Sequence, residues 1–192
     1  MKEIKSNVSL ERIMAASTKK IGLIITVIVI SSMIIVGTGI GIWLGVRSNL
    51  HPDPGWTLKI SGNVQGGNTT ITMSEILNMP AYKAEYEIRA KTNTIYLFQG
   101  AILANLFQEV INIDPSAENV TFIAADEYQW TFPILEIQNN NTYILAYMQN
   151  SQYLESYEEG GNGYLWLIVP NYDEFDSNGQ RCVKNTIEIY FE

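Results

Sequence analysis

The longest apolar segment of the chain runs from Ile21 to Val46 and holds no charged residue in 26 positions. As a helix it would be about 39 Å long, at about 1.5 Å per residue, which is enough to cross a hydrocarbon core of about 30 Å. A cleavable signal peptide has a shorter apolar stretch and a small-residue cleavage site, and this segment has neither. The pattern therefore predicts an uncleaved transmembrane signal anchor at residues 21–46.

The basic residues predict the orientation of this anchor. Lys19 and Lys20 adjoin its N-terminal end, with more lysine and arginine upstream, whereas Arg47 stands alone at the other end. Because cytoplasmic flanks carry the excess of basic residues, we expect residues 1–20 to be a cytoplasmic tail. Residues 47–55, with two prolines and a glycine, are predicted to be a linker. Residues 56–192 would then form a domain outside the cytoplasm at the cell membrane.

Three glycines at intervals of four, Gly37, Gly41 and Gly45, mark one side of the predicted anchor. Small residues at this spacing let two membrane helices approach closely. The spacing favours a homodimer or a partner membrane subunit. The other interpretation is that glycine is simply common in membrane helices.

Short stretches of alternating apolar and polar residues dominate the rest of the chain, which is typical of strands. They predict strands at residues 56–61, 69–72, 82–90, 94–98, 119–125, 128–133, 143–148, 165–169 and 182–191. Ser74 resembles the N-cap of a short helix that Pro80 ends. A helix is predicted at Gly100–Val110, where apolar residues repeat at three and four, and a short one at Ile134–Ile137. Many strands and few helices indicate a mainly β, α+β domain.

Composition narrows the chemistry of this domain. After Arg47 the chain has six basic and eighteen acidic residues, a formal charge of about −12. Nucleic acid is therefore not an expected partner, because binding it needs a basic surface. The single cysteine, Cys182, excludes an internal disulfide, and the single histidine, His51, lies in the predicted linker. A Ser-His-Asp triad and an imidazole metal site are excluded from the domain.

Three glycosylation sequons begin at Asn68, Asn119 and Asn140. Such acceptors mark surface loops in proteins that are exported and glycosylated. The alternative is a chance occurrence in an asparagine-rich chain.

Seven segments of the chain follow one another in an order and spacing that is typical of one enzyme family. They are Trp56–Gly62, Ile71–Pro80, Phe98–Phe107, Val120–Tyr128, Ile144–Met148, Gly163–Pro170 and Val183–Ile189. Together they resemble the molybdopterin-binding domain of sulfite-oxidase-like oxidoreductases over residues 56–192. The resemblance implies that family's fold, with cleft positions for the cofactor at Arg89, Tyr164, Trp166 and Lys184.

The chain departs from this family at the positions that carry chemistry. The resemblance implies a molybdenum-bound cysteine on the strand before the aromatic-glycine motif, but residues 86–91 contain none. Glu158–Gly160 replace a histidine-glycine pattern, and Gly163–Trp166 replace a Pro-x-Arg pattern. We therefore expect the fold without molybdenum chemistry, with no catalytic residue and no metal ligand. We expect no cofactor, and molybdopterin is the alternative.

Three functions remain open. The first is a membrane-anchored, non-catalytic binding or assembly module, that is, a pseudoenzyme. The second is a molybdopterin-dependent oxidoreductase with altered cofactor ligation. The third is a glycosylated cell-surface adhesion component, which the sequons and the acidic surface would suit.

Overall fold

The alternating segments form ten β-strands in two sheets in the computed structural model, which describes residues 55–192. The predicted anchor at residues 21–46, with Gly37, Gly41 and Gly45, lies outside the described residues. Within residues 55–192, no helix is long and apolar enough to span a membrane.

The first sheet joins the two ends of the described chain. Its strands are β1 (Thr57–Gly62), β2 (Thr69–Thr72), β5 (Asn119–Ala124), β6 (Gln129–Pro133) and β10 (Thr186–Phe191). They lie in the order β2–β1–β10–β5–β6. β1 and β10 are parallel, with Ile60 opposite Ile189, and the other pairs are antiparallel. Both isoleucines are fully buried, so this face of the sheet contributes to the core.

The second sheet is built on a long hairpin. Its strands are β3 (Ala81–Arg89), β4 (Asn93–Ile102), β7 (Ile144–Gln149), β8 (Gln152–Tyr153) and β9 (Trp166–Ile168). The order is β3–β4–β7–β8, and β9 pairs with β7. β3 and β4 pair over their whole length, from Ala81 opposite Ala101 to Arg89 opposite Asn93. β3 is therefore a long edge strand.

The helices are short. α1 (Met73–Asn78) begins at an N-cap that is Thr72 rather than the predicted Ser74. The Thr72 side chain accepts from the Glu75 N–H, and the Glu75 carboxylate accepts from the Thr72 N–H at 2.7 Å, which forms a capping box. α2 (Leu103–Asn105) continues into a π-helical turn (Leu106–Val110), and α3 (Ile134–Gln138) confirms the short helix predicted there.

The helix predicted at Gly100–Val110 is wrong in its first three residues. Gly100 and Ala101 belong to β4 and pair with Ala146 and Leu145 of β7. A Cβ on Gly100 would lie 2.4 Å from the Leu145 carbonyl oxygen, so only glycine permits this close approach. Tertiary pairing thus overrides the helical periodicity, which survives from residue 103 onward.

The last strand is shorter than predicted. It begins at Thr186 rather than Cys182, because Asn185 has a φ of 48° and interrupts the extended backbone. The Thr186 hydroxyl donates to the Val183 carbonyl at 2.8 Å and closes this turn. Cys182 therefore lies in the connection before β10.

The core connects the first sheet to the segment after β4 through aromatic rings. Phe107 packs against Phe122 and edge-on against Phe191, with a centroid distance of 5.2 Å for the second pair. Phe132 in turn contacts Phe122 and Tyr143, at 6.1 and 5.8 Å. Such pairs add about 0.5–1.5 kcal/mol each beyond the area they bury. The mainly β, α+β architecture predicted from the sequence is confirmed.

Candidate functional site

A cavity of about 390 Å³ opens beside the end of the β3–β4 hairpin. Eleven residues line it, and they come from four parts of the chain: Ile88, Ala90, Thr92, Thr94 and Tyr96 from the hairpin, Asp126 and Tyr128 from the β5–β6 turn, Trp166 from β9, and Gly179, Cys182 and Lys184 from the connection before β10. Lys184 is the one base among them and Asp126 the one acid. The cavity therefore offers aromatic and hydroxyl groups with little net charge.

The wall of this cavity is held by Asn178, which is fully buried. Its side-chain oxygen accepts from the Arg89 N–H at 2.9 Å, and its amide donates to the carbonyls of Val169 and Glu87, at 2.8 and 3.2 Å. The next residue, Gly179, comes so close to β3 that a Cβ there would lie 2.6 Å from the Arg89 carbonyl oxygen. An Asn-Gly pair is a sequence signal of a tight turn, but it does not indicate which strand the turn contacts.

Trp166 and Lys184, two of the four predicted cleft positions, meet in this cavity. The Lys184 ammonium lies 4.4 Å from the centroid of the Trp166 ring, a cation–π arrangement. The same indole packs edge-on against Phe98 at 5.1 Å. Its Nε1 is buried and has no hydrogen-bond partner within residues 55–192. The cation thus lies over an aromatic wall.

Arg89 and Tyr164, the other two predicted positions, lie away from the cavity. The Arg89 guanidinium pairs with Glu87 at 2.6 Å and donates to the Asp173 and Glu174 carbonyls at 3.0 and 2.6 Å. Tyr164 packs against Trp56, with ring centroids 5.8 Å apart. The structure therefore brings together two of the four residues and directs the other two to structural contacts.

Cys182 lines the cavity although its position along the sequence lies far from residues 86–91. It is 6% exposed, and burial raises the pKa of its thiol to about 11, against a smaller opposing effect of the Val169 backbone. With no metal bound, a thiol with such a pKa is protonated at neutral pH and is a poor nucleophile.

The three sequon asparagines occupy different environments. Asn68 is exposed in the turn between β1 and β2. Asn119 opens β5 and is half-buried, with its backbone bonded to Glu192. The Asn140 side chain accepts from the N–H and hydroxyl of Thr142, at 2.9 and 2.6 Å.

The domain, with two sheets and a cavity at the end of a long hairpin, has a sulfite-oxidase-like fold. The profile of the oxidoreductase molybdopterin-binding domain family matches residues 44–172, and the chain belongs to that family.

Among solved structures, the chain is similar to the sulfane dehydrogenase SoxCD from Paracoccus pantotrophus, with a TM-score of 0.58 and 17% sequence identity. The match covers 75% of this chain and 40% of that chain, so the likeness is one of fold over less than half of the SoxCD chain. No curated protein matches the sequence.

The lining of the cavity offers few of the groups that would hold a molybdopterin cofactor. An anionic pterin phosphate is normally held by several charge-assisted donors, but Lys184 is the one base in the lining. The nearby guanidinium of Arg181 pairs with Asp176 and stacks on Tyr172, and that of Arg89 is bound to Glu87. Within residues 55–192, no cluster of three or more His, Cys, Asp or Glu side chains is arranged to hold a metal ion.

Proposed function

We propose that the chain is a membrane-anchored, extracytoplasmic member of its family that serves as a non-catalytic binding or assembly module. The apolar segment at residues 21–46 and its basic flank support the anchor and the orientation. The acidic composition of the domain supports a partner that is neutral or basic, and argues against nucleic acid.

The observation that carries the proposal is the chemistry of the cavity. Of residues 86–91, where the family resemblance places a molybdenum-bound cysteine, Ile88 and Ala90 are the two that line it. Neither offers a donor atom on its side chain. The thiol that does reach the cavity, Cys182, is buried and its pKa is raised, and Lys184 is the one base available to a pterin phosphate.

Metal and pterin analysis of the purified full-length chain tests this proposal. We expect molybdenum well below one atom per chain by mass spectrometry of the metal content, and no pterin fluorescence after oxidative denaturation. Stoichiometric molybdenum in protein produced with an ample supply of the cofactor would refute it.

The Ala90→Cys variant sharpens this test, because it places a thiol where the hairpin meets the cavity. We expect this variant also to lack molybdenum, since the cavity would still hold a single base. Molybdenum loading by Ala90→Cys alone would show that the rest of the cavity suits the cofactor, and would contradict this part of the reasoning.

A molybdopterin-dependent oxidoreductase with altered ligation is the second candidate, and the position of Cys182 in the same cavity favours it. If wild-type protein contains molybdenum, a Cys182→Ser change decides between the two. Loss of the metal in that variant would support ligation by Cys182, whereas an unchanged metal content would leave that thiol without a role.

A further inference from the structure

Within residues 55–192, one edge of the strand β3 pairs with no other strand. It pairs with β4 on one side over nine residues without a register shift, and it ends the order of its sheet. The edge strands of the first sheet, β2 and β6, have four and five residues. A groove of about 220 Å³ lies along β3, between Tyr82 and residues 84–87 on one side and Thr142, Pro170 and Asn171 on the other. A long, straight edge of this kind is a template for another strand.

The backbone groups that face this groove follow from two observed hydrogen bonds. The Arg89 N–H donates to Asn178, and the Glu87 carbonyl accepts from the Asn171 side chain at 2.9 Å. Odd-numbered residues of β3 therefore point their backbone groups away from β4. Because the strand has no bulge, the same holds for Lys83 and Glu85, whose outward N–H and C=O groups meet no partner among the described residues.

We propose that this edge pairs with the β3 edge of a second copy of the chain, as an antiparallel two-fold ladder centred on Ala84. Outward-facing residues must lie opposite each other in such a ladder. Centring on Ala84 places Lys83 of each copy opposite Glu85 of the other, so the ladder contains two pairs of opposite charge.

The neighbouring registers are disfavoured by like charges. Centring on Lys83 or on Glu85 would place each of these residues opposite its own copy, and centring on Tyr86 would place Glu85 opposite Glu87. Like charges directly opposite are destabilising in antiparallel sheets, and opposite charges are stabilising. The charge pattern of the edge therefore selects one register.

The even-numbered residues of β3 and the end of the ladder at Glu87 are also compatible with this register. Ala84 is small and lies on the axis, where two strands approach closely, and Tyr82 (37% exposed) would lie opposite Tyr86 of the other copy. The Glu87 carbonyl is already bonded to Asn171 and Asn178, so the ladder is confined to residues 83–85. We therefore expect a weak, reversible dimer.

Disulfide crosslinking of the full-length chain in detergent tests this interface. Across an antiparallel non-hydrogen-bonded pair, the two Cα atoms are about 4.5 Å apart, which a disulfide can bridge. We expect an Ala84→Cys variant to form covalent dimers under mild oxidation at least tenfold faster than Ile95→Cys, an exposed control on β4. Wild-type protein supplies the baseline, because its single cysteine, Cys182, is buried.

Charge reversal in the Ala84→Cys background separates this interface from other contacts. We expect Lys83→Glu to slow crosslinking at least tenfold, and the added Glu85→Lys change to restore it. The restored variant also shows that the reversed chains are folded. Equal crosslinking rates for Ala84→Cys and Ile95→Cys would overturn the proposal, and so would crosslinking rates that the charge reversal does not change. Either result is the one expected if the membrane segment alone forms the dimer.

Discussion

Replacing Asn178 by alanine tests how the cavity wall is held. Asn178 is fully buried, and its carboxamide bonds two backbone groups of β3 and the carbonyl of Val169, directly after β9. The Glu87 carbonyl would keep its bond from Asn171, but the Arg89 N–H and the Val169 carbonyl would lose their Asn178 partner. Each buried polar group left unsatisfied costs about 1–3 kcal/mol, so we expect a loss of about 4 kcal/mol in the free energy of unfolding.

Urea unfolding followed by tryptophan fluorescence measures this loss. An Asn141→Ala change at an exposed turn is the matched control and should stay within about 0.5 kcal/mol of the wild type. Asn178→Asp keeps the acceptor for Arg89 but removes both donors and buries a carboxylate, so it should destabilise at least as much as alanine. A loss below about 1 kcal/mol for Asn178→Ala would refute the role we give to this side chain.

Three further outcomes follow from the same structure. Gly100→Ala should lower the free energy of unfolding in urea by at least about 3 kcal/mol, since its Cβ would meet the β7 backbone. The control Gly66→Ala, at a φ of 90° in open space, should lower it by only about 1 kcal/mol through backbone strain. Equal losses for the two variants would be inconsistent with a close approach at Gly100. The pKa of Cys182 is raised from 9 to about 11, so the protonated thiol contributes to the free energy of unfolding below pH 9. This contribution is lost as pH rises from 9 to 11, by about 1.4 kcal/mol per pH unit. Cys182→Ala should reduce this pH dependence of the free energy of unfolding between pH 8 and 11. An unchanged pH dependence would show that it does not come from Cys182. Alkylation of Cys182 at pH 8 should be slow in native protein and fast in urea, and equal rates would show that the thiol is accessible.

Local patterns predicted most of the strands because each strand buries alternate residues on one face. β2 was predicted at its observed bounds, Thr69–Thr72. The errors fall where distant parts of the chain meet. Residues 100–102 of the predicted Gly100–Val110 helix form the end of β4 because β7 pairs with Gly100. Thr72 rather than Ser74 is the N-cap because Glu75 can complete a capping box only with Thr72.

The cavity was less predictable than the fold. Trp166 and Lys184 were named in advance, but their neighbours Cys182 and Asp126 were not, because they come from connections whose paths no short-range pattern specifies. Arg89 was expected to face a ligand, yet Glu87, two residues earlier on the same face of β3, binds its guanidinium. A competing partner of this kind can be recognised only when the geometry is known.

The aromatic contacts of the first sheet lie apart from the cavity, although Ile88, Trp166 and Cys182 belong both to the buried core and to the cavity lining. The core contacts of Phe107, Phe122 and Phe191 lie between the first sheet and the segment after β4, and none of these rings lines the cavity. The cavity wall is held instead by Asn178, through backbone groups that are present whatever side chains occupy residues 88 or 90. Because Asn178 bonds the backbone of residues 87, 89 and 169, a change of the side chain at position 90 would alter the cavity without removing these bonds.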